Sequence, residues 1–72
     1  MEHTLQQIWK LVLELEQPPA IDESFFDLGG NSFSAAQVLA ELEEKTGHTA
    51  EVADFYEHET IADFVQLLQE KN

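Results

Sequence analysis

One stretch of this 72-residue chain gathers residue types with chemical use: Asp27-Leu28-Gly29-Gly30-Asn31-Ser32-Phe33. Ser32 supplies a hydroxyl, and the two glycines let the backbone turn sharply and leave space around it. If a helix starts here, Ser32 stands at its mouth, where free amide hydrogens and the helix dipole favour an anion. By itself the same serine also reads as a helix N-cap, a position that serine fills well. Other chemistries fail on spacing. Gly30-Asn31-Ser32-Phe33-Ser34 is one residue short of the G-x-S-x-G elbow of hydrolases, which also needs a preceding strand and a positioned His and acid. Asp27 and Asn31 are out of register for a calcium loop, which ends in a twelfth-position Glu. His3, His48 and His58 lack metal-ligand spacing, and the last two are expected as solvent-facing loop residues. No catalytic residue and no metal site is expected.

Periodicity supplies the elements that must hold this stretch. Leu5, Ile8, Trp9 and Val12 predict a helix over residues 3–16, with Leu15 near the same face. Thr4 with Gln7 has the form of a capping box, and Pro18-Pro19 ends the helix because proline lacks an amide hydrogen and restricts its predecessor. Residues 18–31 have no sustained period and read as a long loop, with Ile21, Phe25, Phe26 and Leu28 pinned to the core. A second helix is expected from Ser32 to Thr46, burying Ala35, Val38, Leu39 and Leu42 and stopping at Gly47. Phe33, Ala36 and Ala40 lie on another of its faces. Val52, Phe55 and Tyr56 suggest a brief helical turn. Thr60 with Asp63 then starts a last helix with the stripe Ile61, Phe64, Val65 and Leu68. No segment alternates like a strand. The expected fold is all-α: a small four-helix bundle of three main helices and one short one, in a single domain over residues 1–72. Its core would gather Trp9, Leu39 and Phe64.

Bulk properties narrow the function. Fifteen acidic residues against three basic ones give a net charge of −12. Such a surface repels nucleic-acid phosphates and anionic lipid, and attracts basic protein partners. There is no cysteine, hence no disulfide and no thiolate from the protein itself. No apolar run would span a bilayer, and no basic segment followed by an apolar stretch marks a secretory signal. A cytoplasmic monomer is expected.

Phe25-Phe26-Asp27-Leu28-Gly29-Gly30-Asn31-Ser32 closely resembles the attachment motif of peptidyl carrier (thiolation) domains of nonribosomal peptide synthetases. The resemblance extends to Ile8-Trp9, to Phe55-Tyr56-Glu57 and to Thr60-Ile61-Ala62, in order and spacing, and so covers nearly the whole chain. It implies a four-helix carrier fold in which Ser32 receives 4′-phosphopantetheine from coenzyme A, with Gly29, Gly30 and Asn31 completing the motif. The arm's thiol would carry an aminoacyl or peptidyl group as a thioester, so the sulfur comes with the cofactor. Implied partners are a phosphopantetheinyl transferase, an adenylation enzyme or domain, and condensation, thioesterase or tailoring enzymes.

The chain departs from the family pattern at two places. Phe33 stands where Leu or Ile is common, and Glu23 stands two residues before Phe25 where Asp is common. Phe33, Ala36 and Ala40 are expected to form a small apolar docking patch ringed by acids; the competing arrangement folds Phe33 back onto Phe26 or the loop. Two alternatives remain at this level. One is an acyl carrier of a polyketide or fatty-acid line, where Asp more often precedes the serine. The other is a noncovalent helical interaction module in which Ser32 is only a cap. A start at Met1 and an end soon after the last helix fit a freestanding carrier and an excised domain alike, and the acidity mildly favours the former.

Overall fold

Four stretches with apolar residues at helical spacing wind into helices: α1 (Glu2–Val12), α2 (Ser32–Thr46), α3 (Val52–Glu57) and α4 (Ile61–Lys71). They belong to a computed structural model that describes residues 1–71, among which no strand occurs. The stripes read from the sequence face inward. Leu5, Ile8 and Trp9 of α1, Ala35, Val38 and Leu42 of α2, Phe55 of α3, and Ile61, Phe64, Val65 and Leu68 of α4 form one buried cluster. Leu39 packs against its edge, half-buried. Each fully buried Leu, Ile or Phe contributes ~1.5–3 kcal/mol through removal of apolar surface from water. The Trp9 indole N–H is buried with no hydrogen-bond partner, a cost of about 1–3 kcal/mol that the burial of its ring offsets. No helix of the described residues is long and apolar enough to cross a membrane.

The first helix differs from expectation at both ends. It begins at Glu2, with the Leu5 N–H already bonded to the Met1 carbonyl at 3.0 Å. Thr4 is therefore inside the helix, and the Thr4–Gln7 capping box does not form. At the other end α1 stops at Val12, four residues before the expected limit. Glu14 takes a left-handed φ of 54°. Its N–H then reaches the Leu11 carbonyl (3.3 Å) while the Leu15 N–H reaches that of Lys10 (2.9 Å), the paired closure of a Schellman motif. The long loop then returns along α1. Gln6 Nε2 donates to the Pro19 carbonyl at 2.8 Å.

Glutamate is a poor residue for that turn. Its Cβ disfavours positive φ, and its charge faces the negative end of the α1 dipole. Replacing Glu14 by Gly is expected to raise the unfolding free energy by about 0.5–1 kcal/mol. Urea denaturation of the two proteins reads this directly, and an unchanged or lower midpoint would count against a strained turn.

The remaining boundaries follow local chemistry. α2 ends on Gly47 at φ 79°, with the cap N–H on the Glu43 carbonyl. Asp54 of α3 accepts the Glu51 N–H at 2.9 Å and Lys71 Nζ at 3.1 Å, which ties the short helix to the end of α4. The Glu51 N–H first, and then Lys71, hold the Asp54 carboxyl below its ordinary 3.8. Thr60 Oγ1 accepts the Asp63 N–H at 3.2 Å, as the sequence suggested for the start of α4. His48 and His58 are half-buried rather than solvent-facing. His58 caps α3 through its N–H to the Asp54 carbonyl (2.8 Å) and so lies against the helix end.

Candidate functional site

The loop between α1 and α2 is irregular but tied down along its length. The Ala20 N–H donates to Glu23 Oε2 (2.7 Å), while the Glu23 N–H returns to the Ala20 carbonyl (3.2 Å). Glu23 thus closes a turn with its own side chain. Further along, the Ala62 N–H donates to the Ile21 carbonyl (3.0 Å) and the Phe25 N–H to the Glu59 carbonyl (2.7 Å). Ser24 Oγ donates to Glu59 Oε1 at 2.8 Å. These bonds fasten the loop to the α3–α4 junction, and Phe25 drops into the core with no exposed surface. Phe26 and Leu28 pack at its margin.

From Phe25 the backbone coils tightly toward Ser32. The N–H groups of Gly29 and Gly30 bond the carbonyls of Phe26 (3.1 Å) and Phe25 (3.0 Å). The two glycines serve different needs. Gly29 has φ 100°, with open space where a Cβ would be, so it is required by conformation. Gly30 has ordinary φ, but a Cβ there would overlap the Phe25 ring and lie 2.7 Å from the Phe25 carbonyl oxygen. Gly30→Ala is therefore expected to destabilise by about 1–3 kcal/mol through overpacking, and Gly29→Ala by about 1 kcal/mol through strain alone. Thermal melts of the two variants test the division. A Gly30→Ala protein as stable as wild type would remove the steric role of that glycine.

Asn31, not Ser32, is the N-cap of α2. Its backbone is extended (φ −149°, ψ −177°), and its Oδ1 accepts the Ser34 N–H at 2.9 Å. Ser34 Oγ accepts the Asn31 N–H at 2.8 Å in return. This reciprocal box satisfies two amide hydrogens that a helix start would otherwise leave open. The cap reading of Ser32 is thus corrected: Asn and Ser both cap well, and the neighbour with a partner three residues on takes the position. Ser32 becomes the first residue of the helix, exposed, at the positive end of the α2 dipole. Its Oγ lies 2.8 Å from the hydroxyl of Tyr56 on α3. That ring, 55% exposed, stacks on Phe26 with centroids 4.8 Å apart and planes 21° from parallel.

An exposed seryl oxygen beside glycines, at a helix start and next to a phenol hydroxyl, fits a covalently held phosphate. The space is open, the helix end favours a negative charge, and a hydrogen-bond donor is at hand. Among the described residues no group of three or more His, Asp or Glu side chains is placed to hold a metal ion.

Phe33 does not fold back. It is 74% exposed and faces an open groove shared with Leu11 and Val12 of α1 and with Gln37, Ala40 and Glu41 of α2. Ala36 is exposed on the same helix but is not part of that groove wall. Tyr56 is not among the site residues to which the sequence points. The signal that could find it is its place beside Phe55: one residue off a buried position, with an aromatic body and a polar tip.

The phosphopantetheine attachment site family matches residues 3–68. The chain is 42% identical over 69 residues to peramine synthetase A of Epichloe festucae, covering 94% of this chain and 2% of that protein. It is 39% identical over 72 residues to a plipastatin synthase of Bacillus subtilis, covering 100% of this chain and 2% of that protein. A nonribosomal peptide synthetase of Metarhizium robertsii is 39% identical over 64 residues, covering 88% of this chain and 1% of the relative. The chain therefore spans only a small segment of the synthetases it matches. It belongs to the phosphopantetheine attachment site family, as a carrier domain of the peptidyl type found in nonribosomal peptide synthetases, whose members hold their group on covalently attached 4′-phosphopantetheine.

Proposed function

We propose that Ser32 is the attachment point and that the chain, a single carrier domain over residues 1–72 with no catalysis of its own, passes an aminoacyl or peptidyl group between partner enzymes. The observation that carries this reading is the exposed Ser32 hydroxyl, relieved of capping by the Asn31–Ser34 box. Attachment forms a bond from Ser32 Oγ to the β-phosphorus of coenzyme A and breaks the pyrophosphate link. Adenosine 3′,5′-bisphosphate leaves, and the seryl proton passes to a base of the transferase. The bound group supplies a terminal thiol that holds the cargo as a thioester. Ser32 fixes the root of the arm, and the α2 start favours its negative charge.

The partners in this reading are a phosphopantetheinyl transferase, an adenylation enzyme, and condensation, thioesterase or tailoring enzymes. The net charge of −12 favours basic protein surfaces over nucleic acid or anionic membrane. Incubation with coenzyme A, magnesium and a broad-specificity transferase, followed by intact mass and fragmentation, tests the assignment. A phosphopantetheine-sized gain located on Ser32 is expected. No gain in folded, unmodified protein, or a gain on another residue, overturns it.

The exposed Phe33, with Ala36 and Ala40 along the same helix, is proposed as the apolar centre of the partner surface, with Glu41 at its edge. Phe33→Ala is expected to lower loading by transferase and adenylation enzyme about tenfold, with an unchanged melting temperature, because an exposed ring adds little to folding and much to an interface. Normal rates with lowered stability would return Phe33 to the core.

A further inference from the structure

The Ser32 and Tyr56 hydroxyls join residues 24 apart in sequence and link the first turn of α2 to α3. Tyr56 is more than half exposed, so burial does not fix its ring. What places it is the stack on Phe26 and the bond to Ser32. Phe26 in turn meets the buried Phe25 edge-on at 5.6 Å. A continuous set of contacts therefore runs from the seryl oxygen through two surface rings to the core.

We infer that Tyr56 is a positioning residue for the root of the arm, holding the free seryl hydroxyl before attachment and a non-bridging phosphate oxygen after it. The inference rests on Ser32 being the attachment point. Before attachment either oxygen of the pair can donate. Attachment removes the seryl proton and turns Oγ into an ester oxygen, a weak acceptor. The phenol keeps the pair's only proton, and the strongest acceptor within reach of the same position is the phosphodiester. A neutral bond between hydroxyls is thus exchanged for one to a charged oxygen, and bonds of that kind are shorter and roughly twice as strong. The bond ties α3 to the modification state of Ser32. It also limits the directions in which the arm leaves the surface.

Tyr56→Phe tests this with little disturbance, since it keeps the ring on Phe26 and removes one oxygen. Wild type and variant, each unmodified and modified, form a closed cycle of four unfolding constants measured in urea. Stabilisation of the phosphate by the α2 dipole is common to both proteins and cancels. Modification is expected to stabilise wild type about fivefold more, in the unfolding constant, than it stabilises Tyr56→Phe. Equal stabilisation overturns the inference. Tyr56 is the sole tyrosine of the chain, so a 13Cζ label gives a single resonance. It is expected to move on modification, and to move again when Ser32→Ala removes the seryl oxygen. One position in all three proteins overturns the inference as well. Intact mass separates the two readings: a gain in both wild type and variant with equal stabilisation removes only the role of Tyr56. No gain in wild type removes the attachment point and the inference with it.

Discussion

Replacing Ser32 by alanine is expected to abolish phosphopantetheine attachment completely and to leave α2 in place. The two consequences separate because the residue that carries the nucleophile does not hold the helix start. Capping belongs to Asn31 and Ser34, whose reciprocal bonds at 2.8–2.9 Å remain in the variant. The lost interaction is the exposed bond to Tyr56, worth about 0.5–1 kcal/mol. Other serines do not substitute. Ser34 is buried to 8% exposure with its hydroxyl turned to Asn31, and Ser24 is bonded to Glu59.

Asn31→Ala is expected to show the reverse pattern. It loses about 1 kcal/mol, within the usual 0.5–2 kcal/mol for a cap, yet still gains mass with the transferase. Intact mass and urea denaturation of the two variants together give the answer. A Ser32→Ala protein that loses 2 kcal/mol or more would make the serine structural, and one that still gains mass would place the arm elsewhere.

That division of labour is only half legible in the sequence. The apolar stripes of α1, α2 and α4 can be read because helical spacing repeats, and Ile61, Phe64, Val65 and Leu68 are buried as expected. Which of Asn31 and Ser32 caps α2 is a contest between two good capping residues. The deciding partner, Ser34, is one of several polar residues nearby. The early end of α1 has no sequence signal, because Glu14 is not a residue that announces a left-handed turn. The Ser32–Tyr56 pair is a tertiary contact across 24 residues, and no local pattern encodes it. The exposure of Phe33 is legible as one of two options, since it lies off the stripe that Ala35, Val38 and Leu42 bury.

Phe25 is where loop and core meet, and Phe25→Ala is expected to cost about 3–5 kcal/mol. At ~0.05–0.15 kcal/mol per residue a chain of this length has a total of only ~4–11 kcal/mol, so the variant loses from about a quarter to all of its stability. The ring explains the size of the effect. It lies 4.9 Å from Trp9 of α1, edge-on, and 4.8 Å from Phe55 of α3, which itself stacks on Phe64 of α4 at 4.6 Å. Removing it opens the junction of α1 and α3, against which α4 packs through the Phe55–Phe64 stack.

Phe25→Leu, expected to cost about 1–2 kcal/mol, keeps the protein measurable and tests the link to the site. The same ring occupies the space that a side chain at Gly30 would need. If that is why residue 30 is glycine, Gly30→Ala should cost less in the Phe25→Leu background than in wild type. Part of the cost should persist, because the Phe25 carbonyl oxygen is also 2.7 Å from that point. Urea denaturation of the four proteins reads the coupling. Strict additivity would mean that Gly30 serves the turn alone, and that the core ring does not set the path of the backbone into Ser32.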